Sequence, residues 1–133
     1  MLNSLCPCGS KKDKNNCCVA ILEGKLEAET AEALMRSRYT AFTLAHAEYL
    51  MKSHHSKTRN IKDKKDIKQW AKSVKWMGLT IINTEKGQLG DDTGTVEFKA
   101  LFIENGQLNH IHEKSFFCLE NKKWVYKSGK QLP

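Results

Sequence analysis

Between residues 30 and 52, TAEALMRSRYTAFTLAHAEYLMK, apolar positions recur at helical spacing, with Leu34, Met35, Ala41, Phe42, Ala45 and Tyr49 on one side. Thr30 stands where an N-cap belongs, so one long helix is expected. A polar connection, SHHSKTRNIK, leads to a second helical stretch from Asp63, in which Ile67, Trp70, Ala71 and Val74 are spaced i, i+3, i+4 and i+7. Asp63 with Asp66 has the form of a capping arrangement, and Gly78 that of a stop. Beyond Gly78 the hydrophobic period shortens to that of a strand. LTIINTE reads as a strand, GDDTG as a turn and TVEFKALFI as a half-buried strand. Asn105-Gly106 is a strong hairpin signal leading into LNHIHEKSFFCLE, which ENKK connects to WVYK. Helices followed by an antiparallel meander predict an α+β fold, with the helices laid on one face of a curved antiparallel sheet.

This pattern also assigns faces. A two-residue turn at Asn105-Gly106 sets Phe98 opposite Glu113, Ala100 opposite Ile111 and Phe102 opposite Asn109. Glu113 then shares a face with Val96, Phe98, Ala100, Phe102 and Ile111, while Glu97, Lys99, His110, His112 and Lys114 take the other. On the long helix Arg38 falls in the middle of the apolar stripe, whereas Arg36, Thr40 and Thr43 fall opposite. A buried arginine needs a partner. The expectation is that Arg38 and Glu113 meet inside the fold through a bidentate contact and mark a polar floor. The alternatives are a pair that only orients the helix on the sheet, or an Arg38 that snorkels out at its edge. With Tyr39, Phe98 and the loop residue His55, Arg38 and Glu113 are the candidate pocket residues.

The first 25 residues obey neither period. Four of the five cysteines, Cys6, Cys8, Cys17 and Cys18, form C-x-C-x8-C-C among lysines and asparagines, with almost no apolar residue to build a core. Four thiolates in so short a loop suit tetrahedral Zn2+, whose binding free energy then acts as folding free energy. Two disulfides or four idle thiols are the alternatives; a bond between adjacent cysteines is strained and the compartment is reducing, which counts against the disulfides. Four protein ligands leave no open coordination position, so the expected zinc is structural or recognitional, not catalytic.

Composition narrows the function classes without choosing one. Hydrophobic content of 40% and charged content of 28% are those of a globular chain, and no apolar run is long enough to span a membrane. The start MLNSLCPCGSKK lacks the apolar core of a secretory signal, so a cytoplasmic protein is expected. The formal charge of +7 falls to about +5 if four thiolates hold one divalent ion. Lys64, Lys65, Lys68, Lys72 and Lys75 cluster on one side of the second helix, a surface suited to nucleic-acid phosphates or simply to solvent. His110 and His112 share a strand face without an evident third ligand, and His46, His54 and His55 have no nucleophile and orienting acid arranged around them. Cys118 reads as a sheet thiol, no catalytic residues are assigned, and the absence of a P-loop excludes an ATP-driven motor.

CPCGS followed at this spacing by CC resembles the SEC-C motif, the small zinc module at the C-terminus of the SecA translocation ATPase. TAEALMRSRYTAF, HSKTR, DDTGTVEF, HIHEKSFF and WVYKSG together resemble the YchJ-like family of bacterial proteins. That resemblance implies a SEC-C module over residues 1–25 and, over residues 26–133, a cystatin-like cone of the nuclear-transport-factor-two type enclosing a hollow. It also implies a protein or other macromolecular partner for the zinc module, as the SecA module contacts the chaperone SecB. The chain departs from the motif at Lys11, Lys14 and Val19, and from the family at His54 and Ser56, where tryptophan and proline are usual. The expected function is a binding or adaptor protein. An enzyme or carrier for a small polar molecule in the cone is the first alternative, and nonspecific nucleic-acid binding the second.

Overall fold

The computed structural model describes residues 4–133, so the first three residues of the expected module lie outside the described range. A 3-10 turn (Lys14–Asn16) and a short α1 (Cys18–Leu22) precede α2 (Ala31–Thr43) and α3 (Ala47–Lys52). A second 3-10 turn (Ile61–Asp63) then enters α4 (Lys64–Ser73), and β1 (Lys75–Lys86), β2 (Thr93–Glu104), β3 (Gln107–Glu120) and β4 (Lys123–Gln131) follow. The strands form one antiparallel sheet in sequential order, and the helices pack on it. The α+β architecture inferred from the change of period is the one observed.

The start of α2 is as expected, with Thr30 Oγ1 accepting from the Ala33 N–H at 3.0 Å. The single helix over residues 30–52 is not. It breaks at Leu44–His46, where Ala45 takes a left-handed backbone with φ 53°. The His46 N–H returns to the Ala41 carbonyl and that of Ala45 to the Phe42 carbonyl, the paired bonds of a Schellman termination. His46 then accepts from the Tyr49 N–H through Nδ1 and caps α3. A termination built on alanine leaves the apolar periodicity intact, which is why the period ran straight through it.

Two further boundaries move. The Asp63 side chain makes no cap; Asn60 caps the preceding 3-10 turn instead, accepting from the Lys62 N–H at 3.0 Å. Gly78 is not a stop, because β1 has already begun at Lys75 and Gly78 sits at a bulge within it. Trp76 thereby becomes a strand residue opposite Phe102, its ring 5.4–5.7 Å from those of Phe42, Trp70 and Phe102.

The hairpin register is the expected one: Phe98 pairs with Glu113, Ala100 with Ile111 and Phe102 with Asn109. Asn105 and Gly106, at φ 52° and 77°, form the primed turn that matches strand twist. Gly94, Val96, Phe98, Ala100 and Phe102 are the inward, buried set of β2. Of these, Val96, Phe98 and Ala100 meet Leu34, Met35, Tyr39 and Ala41 from α2 and Tyr49 and Leu50 from α3 in one core.

The β3–β4 turn uses the same geometry with worse residues, since Asn121 and Lys122 both hold positive φ, at 53° and 67°. A left-handed lysine is strained where glycine is not. Lys122→Gly is expected to stabilise the protein by about 0.5–1 kcal/mol, read as a higher urea midpoint at unchanged slope.

Candidate functional site

The cysteine segment is held by tight turns. Cys6 N–H donates to the Lys12 carbonyl at 2.8 Å, and Asp13 Oδ1 caps the 3-10 turn by accepting from Asn15 N–H at 2.8 Å. These turns and the start of α1 bring the Sγ atoms of Cys6, Cys8, Cys17 and Cys18 within 4.8 Å of one another. Cys8 and Cys17 sulfurs are 3.7 Å apart, and those of Cys17 and Cys18 3.9 Å. Thiolates ~2.3 Å from a tetrahedral ion lie about 3.8 Å apart along an edge, whereas a disulfide needs about 2 Å. All four cysteines are free, so the donor set and its spacing fit a metal ion and the disulfide alternative is not formed. Cys6, Cys8 and Cys18 are buried; Cys17 is partly exposed, 3.2 Å from Ser10 Oγ. Hydrogen bonds from the Cys18 and Cys6 thiols hold Cys8 well below its ordinary pKa, while burial pushes Cys17 up. Full deprotonation of so crowded a set calls for a cation.

The side of α2 facing away from the core seats this segment. Arg36 Nη1 donates to the Cys8 carbonyl at 2.5 Å while its Nε donates to Glu32 at 2.9 Å, and Thr40 Oγ1 lies 3.6 Å from Cys6 Sγ. Placed by the sequence only opposite the apolar stripe, Arg36 and Thr40 are the residues whose role in seating the cysteines was missed.

On the core side a cavity of about 150 Å³ is lined by Arg38, Tyr39, Phe98 and Glu113 together with Met35, Phe42, Trp76, Ala100, Ile111, Ser115 and Tyr126. Four of the five pocket candidates therefore converge. Arg38 is only 8% exposed. Its Nη1 donates to the Leu50 carbonyl at 2.9 Å and to Ser53 Oγ at 2.7 Å, capping the C-terminal turn of α3, and its guanidinium carbon lies 4.7 Å from the centre of the Tyr126 ring. Burial pulls Arg38 down to about 10, so it stays charged at neutral pH. Glu113 accepts from Ser115 Oγ at 2.5 Å, from Tyr126 Oη–H at 3.3 Å and from Gln131 Nε2 at 2.6 Å. Burial and the Glu113 charge push Tyr126 up to about 12, keeping it a hydrogen-bond donor. A Cβ at Gly129 would stand 2.1 Å from Glu113 Oε2 and 2.8 Å from Tyr126 Oη, so only glycine leaves room for this carboxylate.

The expected bidentate Arg38–Glu113 contact is not formed. The broken helix offers Arg38 carbonyl and hydroxyl partners on α3, Glu113 is met by neutral donors, and Tyr126 touches both. His55 does not line the cavity: its N–H donates to the Tyr126 carbonyl at 2.7 Å, its Nδ1 accepts from Lys57 N–H, and its Nε2 lies 3.6 Å from Glu120. His54 takes the nearer place, edge-on to Tyr126 with ring centres 5.0 Å apart, and burial, then Arg38 and Arg59, lower it to about 4.

The remaining candidates disperse. His112 bonds Glu97 at 2.7 Å and His110 is exposed. On α4, Lys64 pairs with Glu48, and Trp70 donates inward to Glu104 at 2.9 Å, leaving no stacking platform. Burial pushes the Cys118 thiol up, away from activation. Among the described residues no helix is long and apolar enough to cross a membrane.

With the cone and its cysteine segment in place, the comparison with known proteins is direct. A family model described as "YchJ, middle NTF2-like domain" matches residues 30–129. The chain belongs to this family. Relatives of this YchJ-family chain include UPF0225 proteins of Photorhabdus laumondii, 40% identical over 130 residues, and Geobacter sulfurreducens, 38% identical over 128 residues. These span 96% of this chain and 81% and 80% of the two relatives. The match to the YchJ domain begins at Thr30 and leaves Cys6, Cys8, Cys17 and Cys18 outside it. Two SEC-C motif containing proteins extend the likeness across them. The solution structure from Rhodopseudomonas palustris has a TM-score of 0.86 at 29% identity, over 97% of this chain and 99% of that one. The crystal structure from Psychrobacter arcticus has a TM-score of 0.81 at 32% identity, over 96% and 84%.

Two outcomes follow for this YchJ-family chain. Chelation at neutral pH is expected to strip hydrogen-exchange protection from α1 and the preceding turns while β2 and β3 keep theirs; equal protection with and without chelator would show that no bound ion organises the segment. For His54, held near 4 against an ordinary 6.5, the unfolded chain takes the proton first on acidification. Stability is therefore expected to fall between pH 6.5 and about 4, and His54→Gln to flatten that decline in urea titrations across the window.

Proposed function

We propose that this protein binds a small molecule in the cone, and that its SEC-C segment carries zinc as a structural crosslink bracing α2 from the opposite side. The cavity around Arg38 carries this reading: a charged side chain is buried at the wall of an aromatic-lined hollow and only partly satisfied by the fold. A protein built only to present a surface has no use for such a space, because apolar filling is more stable. The ion would be held by Cys6, Cys8, Cys17 and Cys18; soft thiolates at tetrahedral spacing favour zinc among common divalent ions. What zinc supplies there is cohesion, since the four thiolates complete its coordination. Free thiols in this number suit the reducing cytoplasm.

A second reading, macromolecular contact through the cysteine module, draws on a groove of about 670 Å³ between the module and α2, lined by Ser10, Cys17, Glu32 and Arg36 among others. Its mixed charge favours a polar protein surface over nucleic acid. The cavity reading is the stronger because its polar groups converge.

Benzene tests the cavity reading without presuming a ligand, as a cavity of about 150 Å³ accepts it. Titration is expected to give saturable NMR shifts at the Met35 methyl and the Trp76 indole. Unmoved signals from folded protein up to benzene saturation would sink this reading.

A further inference from the structure

The cavity's polar end is more particular than its size. Arg38 has five N–H donors, and both protein acceptors are taken by Nη1. Nε and Nη2 make no hydrogen bond, and no side-chain nitrogen or oxygen among the described residues is fully sequestered without a partner. These donors therefore face accessible space, and the space that Arg38 lines is the cavity. Across it, Glu113 Oε2 accepts two hydrogen bonds but Oε1 only one, from Gln131. One acceptor position remains there.

The charges at this end cancel. Arg38 is positive and Glu113 negative, with Tyr126 neutral and in contact with both. An anion drawn to Arg38 meets Glu113 at close range and low dielectric; a cation meets Arg38. A neutral group with an acceptor beside a donor satisfies both and leaves neither charge uncompensated. Much of the remaining wall is aromatic, Tyr39, Phe42, Trp76 and Phe98, with Met35, Ala100 and Ile111 completing it, and the volume of about 150 Å³ matches one six-membered ring.

Resting on the cavity reading above, we infer that the ligand is a neutral aromatic carboxamide of about one ring, its carbonyl oxygen accepting from Arg38 Nε and Nη2 and its amide N–H donating to Glu113 Oε1. The ring lies among Phe42, Trp76 and Phe98. The amide is what distinguishes this ligand from any apolar molecule of the same size.

The test compares benzamide, benzoate and toluene on the full-length, zinc-loaded protein, following the Met35 and Trp76 signals by NMR. Benzamide is expected to bind about tenfold or more tightly than either of the others, the worth of one to two buried hydrogen bonds. In Glu113→Gln, benzoate is expected to gain on benzamide, because the repelling charge is gone while a side chain of the same size remains. Benzoate binding wild-type protein more tightly than benzamide would overturn the neutral class. Toluene matching benzamide would overturn the amide while leaving the cavity reading standing. Failure of all three to shift either signal would overturn both. Should Glu113→Gln misfold, the wild-type ranking decides alone.

Discussion

A guanidinium buried at the junction of three elements organises this fold. Arg38 rises from α2, closes the last turn of α3 through Leu50 and Ser53, and lies against Tyr126 of β4. A charge with so little solvent dictates its surroundings, since each neighbour must supply an acceptor, a π face or an opposing charge. It follows that α3 ends where it does, that Tyr126 presents its ring to this charge, and that Glu113 is tolerated at an inward strand position. The residual unmet donors of the same group give the cavity its chemical character.

The other side of α2 meets a different constraint. The cysteine segment has no hydrophobic core of its own, and its sulfurs, turns and the Arg36 contact replace one. Helix α2 is thus held between two unlike solids, a packed apolar core and a sulfur cluster, and has no broad solvent face at its middle. The Cys8 carbonyl, through its bond from Arg36, ties the cluster to the helix that carries Arg38. The two candidate sites lie against different sides of α2 and share that single element.

Much of this was legible in the chain. The Asn105-Gly106 turn fixed the β2–β3 register and with it the inward side of Glu113, because a two-residue primed turn leaves no freedom in pairing. The same argument applied to residues 121–122 places Tyr126 opposite Phe117 on that face, a signal available but weakened by the lack of glycine. Gln131 was beyond reach, since the irregularity between Phe116 and Phe117 shifts the partners of β4. The break at Ala45 was hidden for a physical reason: alanine carries none of the usual marks of a helix end, and the apolar stripe resumes on the far side. Missing it also misassigned the partner of Arg38, since the expected pairing with Glu113 took no account of acceptors on a separate α3.

That break has a consequence for how the protein can change. The backbone reversal at residues 44–46 sets the direction of α3, and with it the position of the Leu50 carbonyl that accepts from Arg38 Nη1. A change in the length of that reversal would re-aim α3 and move that carbonyl away from Arg38 without altering any side chain around the cavity. The polar end of the cavity is thereby set in part by loop length, at residues that do not line it.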